Sequence, residues 1–126
     1  MHSYEYAIVR FVPRVERQEF INVGVLISCK AQRLLQARYE LDPVRLQAFA
    51  PEADLAFVES HLQHLVAVCE GQGPIGQLDF RERFHWLSAP RSTILQLSPL
   101  HAGLCTDLTA ALDHLMQRFV LLSKKD

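Results

Sequence analysis

A chain of 126 residues with 49% hydrophobic and 21% charged residues has the size and make-up of a single globular domain, large enough to bury a core without a metal or disulfide staple. Thirteen basic against fourteen acidic residues leave a net charge of −1, so there is no global basic excess to neutralise phosphates, and nucleic acid is not the partner class this balance predicts. No apolar run approaches the ~20 residues needed to span a bilayer, and the opening MHSYEYAIVRF lacks the basic-then-apolar order of a signal peptide.

Residues 4–12 read as a first strand. Tyr4, Tyr6, Ile8, Arg10 and Val12 fall on one face, and Glu5, Ala7, Val9 and Phe11 on the other. Pro13 lacks a backbone donor and stops the ladder. The polar segment 13–18 is turn-like. Arg10, Arg14 and Arg17 crowd this end with Glu16 and Glu19 among them, the pattern of a solvated hairpin end. A second strand over 19–29 and a third over 33–41, joined by residues 30–33, complete an antiparallel meander.

Asp42-Pro43 then changes the period, since Asp caps a helix and Pro suits its first position. A short helix ends before Pro51. Asp54 caps a longer one over 55–70, whose Leu55, Val58, Leu62, Leu65, Val66 and Cys69 form one apolar stripe. Gly71 and Gly73-Pro74 end it, and the glycine-rich 69–76 reads as a loop. Residues 78–87 read as a short helix and 92–99 as a fourth strand. Residues 101–105 either extend the sheet or form a loop. Thr106 or Asp107 caps a last helix over 108–122. The order predicts one α+β domain over residues 1–126: an antiparallel sheet, made of a three-stranded meander and a late strand, with helices packed on one face.

One feature of the second strand carries chemistry. Ile21, Val23, Val25, Ile27 and Cys29 are uniformly apolar and are expected to face the helices; Asn22 and Gly24 then share the opposite face. In a hairpin centred near residues 15–16, Asn22 falls close to Arg10, with Glu19 near the same end. Arg offers a planar fork of donors suited to a carboxylate or phosphate, Asn donates and accepts at once, and a strand glycine marks a bulge or a close approach. A structural reading stands beside this one: Arg10 pairs with Glu19 or Glu40, while Asn22 and Gly24 shape a bulge.

The remaining chemistry is sparse. His61 and His64 sit one helical turn apart but lack an evident third metal ligand, so a solvated helix face is preferred and no metal is expected. Cys29, Cys69 and Cys105 lie far apart without a C-x-x-C and read as reduced core residues of a cytoplasmic protein. Cys105 precedes a helix start, a position that can lower a thiol's pKa, yet no partnering base is evident. No phosphate-binding loop, dinucleotide fingerprint or nucleophile elbow occurs.

YAIVRFVP at 6–13 followed by EFINVGV at 19–25 resembles the opening of a bacterial domain-of-unknown-function family, number 3037 (DUF3037). Residues 54–58 and 94–99 are also similar. The resemblance covers Arg10, Glu19, Asn22 and Gly24. It implies a small bacterial cytoplasmic protein without catalytic residues or a cofactor to carry over, and a HipA-like kinase-fold protein as partner in a toxin–antitoxin or regulatory setting. Here 99–107 departs from the family's more proline-rich, basic continuation, which bears on an anion site near Arg91.

The reading preferred is a non-enzymatic binding module, docking a protein partner through the sheet face of Arg10, Asn22 and Gly24 or through an exposed strand edge. The alternative is a small enzyme acting on a phosphate-bearing or nucleotide-like substrate, with Arg10 and Arg91 clamping the anion and Glu19 or a histidine as acid or base. A homo-oligomer is compatible with both.

Overall fold

The computed structural model describes residues 1–89 and 93–122. Five strands form one open antiparallel sheet: β1 (His2–Phe11), β2 (Ile21–Cys29), β3 (Leu34–Tyr39), β4 (Leu95–Leu97) and β5 (His101–Cys105). Their spatial order is β3-β2-β1-β4, and β5 also pairs with β1. The α+β class, the N-terminal meander and a late strand are as the sequence predicts. Residues 101–105 extend the sheet, and residues 13–18 contain a 3-10 turn at Val15–Arg17 closed by Gln18 at φ 56°.

The helices are α1 (Pro43–Phe49), α2 (Leu55–Cys69), the single turn α3 (Gly73–Gly76), α4 (Phe80–Ser88) and α5 (Leu108–Phe119). Four of them start on an aspartate. Asp42, Asp54, Asp79 and Asp107 each accept from backbone N–H groups of the first turn, at 2.8–3.3 Å. Such caps contribute about 1 kcal/mol each. The stretch expected as a loop at 69–76 holds α3, entered through Gly71 and Gly73 at φ 85° and 74°.

The apolar residues divide by strand parity. Ile8, Val25 and Ile27 pack with Leu112, Leu115 and Met116 of α5. Val9, Phe11 and Val23 pack with Leu46, Val58 and Leu62 of α1 and α2. Leu26, Leu35 and Ala37 meet Val68, Cys69 and Leu87 of α2 and α4. Neighbouring residues of one strand point to opposite faces. The helices α1, α2 and α4 therefore cover one face, and α5 adds a layer on the other. Val25, Leu26, Ile27, Leu62 and Leu112 are fully buried, each stabilising by roughly 1.5–3 kcal/mol.

One bulge sets the local geometry of β2. Val9 pairs with Gly24 and Arg10 with Asn22, so Val23 is an extra residue opposite that step. The single apolar face expected over Ile21–Cys29 is thereby split: Val25 and Ile27 face α5, while Ile21 and Val23 join the cluster of α1 and α2. Asn22 and Gly24 do not share a face, which corrects the expectation drawn from strict alternation.

A second irregularity lies in the last column of the sheet. β4 pairs with β1 as Val9↔Leu97, Arg10↔Gln96 and Phe11↔Leu95, whereas β5 pairs from Tyr6↔His101 to His2↔Cys105. The offset between the two registers is one residue, absorbed at 98–100. Pro99 cannot continue the ladder there, and Ser98 replaces it: its N–H donates to the Ile8 carbonyl and its Oγ accepts from the Ile8 N–H, both at 2.8 Å.

Candidate functional site

Arg10 and Asn22 are brought together, as the sequence suggests, side by side across β1 and β2 on the face that α5 covers. Asn22 donates through Nδ2 to the carbonyl of Phe119 at 3.1 Å and so ties down the C-terminus of α5. The Arg10 guanidinium lies over the Phe20 ring, 4.2 Å from its centroid, a cation–π contact. Arg10 Nε and Asn22 Oδ1 are buried without a hydrogen-bond partner among the described residues. The cluster is thus part α5 cap and part unsatisfied donor–acceptor pair. Gln96 flanks Arg10 from β4.

The other expected site residues go elsewhere. Glu19 is exposed and forms an ion pair with Arg17, not with Arg10. The hydrogen bond and charge of Arg17 hold its carboxyl below the ordinary value, the direction opposite to a general acid working near neutrality. Gly24 lies on the face of α1 and α2, where a Cβ would stand 2.7 Å from the Arg38 carbonyl oxygen and 3.1 Å from Tyr39 Cβ. It is a close-approach glycine between β2 and β3. Arg91 lies outside the described residues.

Two cavities accompany this arrangement. The larger, about 640 Å³, lies between the β1–β2 connection and the start of α2, with Phe11, Phe49 and Phe57 beneath a rim of Arg14, Arg17, Glu19 and Asp54. Of its charged residues, Arg17 holds Glu19 and Asp54 caps α2. The smaller, about 440 Å³, is a groove with two different walls. One wall is the chain from Thr93 to Leu100, including β4; the other is His61, His64 and Leu65 of α2 with Trp86 of α4.

The strand wall of that groove carries open backbone groups. Val12 N–H donates to Ile94 O and Ser98 N–H to Ile8 O, so residues 94, 96 and 98 turn their peptide groups toward β1. By the alternation of an antiparallel ladder, Leu95 and Leu97 turn theirs away. No described strand lies beyond them. Thr93 Oγ1 takes the Leu95 carbonyl, which leaves the Leu95 N–H, the Leu97 N–H and the Leu97 carbonyl facing the groove. Residues 93–106 contain no Asp, Glu, Lys or Arg. The opposite edge, β3, carries Arg38 and is flanked by Arg33 and Glu40. Charges on an edge strand are the usual guard against pairing with another chain; the β4–β5 edge has none. Sequence reasoning passed over this groove, although the uncharged run and the Ser98-Pro99 break in a strand pattern are both visible signals.

Two thiols are shifted away from the thiolate form. Cys69 is buried in the α2–α4 core and its thiol is pushed up to about 12 by loss of solvent. Cys105 is also raised, first by desolvation and then by Cys29 and the Asp107 carboxylate, which outweigh the Asp107 backbone N–H. His61 and His64 are exposed on α2, and no group of three or more His, Cys, Asp or Glu side chains that could hold a metal occurs among the described residues. No described helix is long and apolar enough to cross a membrane.

The features together define a small α+β domain whose open chemistry lies along a sheet edge and its groove. The chain belongs to the family described as a protein of unknown function (DUF3037), which matches residues 6–120. The motifs at 6–13 and 19–25 that suggest this family lie within the match. No curated protein and no solved structure matches the chain.

Proposed function

We propose that the protein is a non-enzymatic binding module that accepts an extended segment of a partner protein as an added strand along β4, in the groove closed on its far side by α2 and α4. The observation that carries this reading is the coincidence of an uncharged strand edge, with no described strand beyond it, and a groove of about 440 Å³ along it. An extended segment finds backbone partners at Leu95 and Leu97, and its alternate side chains point toward His61, His64 and Trp86. This is β-augmentation, in which the main chain supplies affinity and the groove supplies selectivity. The uncharged lining favours a segment with apolar or aromatic side chains at those positions. The HipA-like kinase-fold protein implied by the family resemblance, met in the bacterial cytoplasm, is the first partner to test.

The enzymatic alternative has less support. It needs Arg10, Glu19 and Arg91 around one anion, and Glu19 is tied to Arg17 in the exposed hairpin end. The test of the binding reading is hydrogen exchange on the complex with the candidate partner. The Leu95 and Leu97 amides, open in the free protein, gain protection when the partner strand adds. Trp86, the chain's single tryptophan, reports occupancy of the groove through its emission. A partner that binds without protecting those two amides overturns the reading.

A further inference from the structure

The edge continues past the bulge into β5, and there it has a different geometry. β5 pairs with β1 through Tyr4↔Gly103 and Tyr6↔His101, positions in phase with Ile8, whose peptide groups face this column. Ala102 and Leu104 therefore turn their N–H and C=O groups outward, with no described strand beyond them. Their side chains share the sheet face opposite α5 with Ser3 and Glu5, and all four of these residues are exposed. Leu104 is 68% exposed, a large apolar side chain standing on an open sheet corner.

We infer that β5 is a self-association edge, and that its occupant is β5 of a second copy of this chain, paired antiparallel across a twofold axis at Gly103. The register follows from the peptide directions. Only a twofold through Gly103 sets Ala102 opposite Leu104 of the second copy and Leu104 opposite its Ala102, so both outward-facing residues of each copy enter hydrogen-bonded pairs. Registers centred on Ala102 or Leu104 use one of them and leave the other without a facing partner. The same twofold sets the exposed Leu104 beside the Ala102 and Leu104 of its mate, and apolar cross-strand neighbours stabilise such a pair. Charge permits it: the meeting segments carry no Asp, Glu, Lys or Arg from 93 to 106, so no like charges are forced together across the axis. On the other face Gly103 is covered by its own Tyr4, whose ring a Cβ would meet at 2.5 Å. The result is a ten-stranded sheet continuous through two copies, built from two five-stranded ones. It goes beyond the partner reading above because it uses a different stretch of edge.

The test is sedimentation equilibrium of the full chain, with two variants that act on the edge and not on the core. Leu104→Lys guards the edge with a charge. Ala102→Pro removes an outward N–H that β1 does not use, so the β1–β5 ladder is kept. The wild type sediments at twice the monomer mass, and both variants sediment as monomers with the wild-type circular dichroism spectrum. A third variant, His101→Cys, checks the register independently of folding in the first two: residue 101 lies opposite Cys105 of the second copy, and mild oxidation yields a covalent dimer. A wild type that stays monomeric through the millimolar range, a dimer that survives both edge variants, or a His101→Cys chain that forms no intermolecular disulfide overturns the assignment.

Discussion

Ser98 and Ile8 exchange two hydrogen bonds where the ladder between β1 and the last column of the sheet would otherwise fail. The Ser98 N–H donates to the Ile8 carbonyl, and the Ile8 N–H donates to Ser98 Oγ, both at 2.8 Å, with both residues buried. A side-chain oxygen thus does the work of the main-chain carbonyl that the Pro99 break displaces. The prediction is that Ser98→Ala leaves the Ile8 amide buried and unpaired, at a loss of about 1–3 kcal/mol. Urea unfolding reads this as a lower midpoint at unchanged slope. A midpoint equal to wild type means that another acceptor takes the Ile8 N–H and that the serine is dispensable.

Gly24 and Gly103 both sit where a Cβ has no room, but the obstacles differ. At Gly24 the nearest atom is the Arg38 carbonyl oxygen at 2.7 Å, part of the neighbouring strand's backbone. At Gly103 it is the Tyr4 ring at 2.5 Å, the end of a side chain that can turn aside. Gly24→Ala is therefore expected to push β2 and β3 apart and lose about 1–3 kcal/mol, as overpacking does. Gly103→Ala should lose distinctly less. Paired thermal melts decide it, and an equal or reversed order of the two losses would show that the strand-to-strand contact yields more easily than the geometry implies.

Much of this architecture is legible in the sequence because the local signals are strong. Asp42, Asp54 and Asp107 are cap residues by chemistry and serve as such; Asp79 also caps a helix, α4, which starts at Phe80 and not at residue 78 as the pattern suggests. Arg10 and Asn22 are placed together because any hairpin centred near residues 15–16 brings them within a residue or two of each other. What alternation could not reveal is where the bulge at Val23 sends its neighbours. The polar Asn22 and the bare Gly24 do mark a bulge, and it falls between them; period two does not show that the inserted residue sends Asn22 toward α5 and Gly24 toward α2. Placement of α5 on the second face follows from the same split of Val25 from Val23, and for the same reason it was out of reach of a pattern with strict period two. The groove beside β4 escaped because its residues, His61, Trp86 and Gln96, come from three separate segments and share no spacing.

Asn22 meets the last turn of α5 through the Phe119 carbonyl at 3.1 Å. The carbonyls of a helix C-terminus lack intrahelical partners, so this donor closes one of them from outside the helix. Asn22→Ala is predicted to loosen that turn at a global cost of about 1 kcal/mol. The local readout is hydrogen exchange at Val120 and Leu121, whose amides donate to the Met116 carbonyl at 2.9 Å. Their protection should fall further than that of Leu112 or Leu115. Uniform loss along α5 would assign Asn22 to the sheet and not to the helix end.

Cys69 makes the alkaline limb of stability partly its own. Burial between α2 and α4 raises its thiol to about 12, with the Arg83 charge opposing in part. In the unfolded chain a cysteine thiol ionises near pH 8.5. Between those values the unfolded state releases a proton that the folded state keeps, so stability falls as pH rises. The contribution is fully present below about pH 8.5, the free-thiol value, and is lost progressively toward pH 12. Cys69→Ala lowers stability at neutral pH by opening space in the core, yet it abolishes this titration. Denaturant midpoints measured at pH 7.5, 9 and 10.5 should therefore fall more steeply for the wild type than for the variant. Parallel slopes would mean that Cys69 ionises as readily folded as unfolded, against its position in the core.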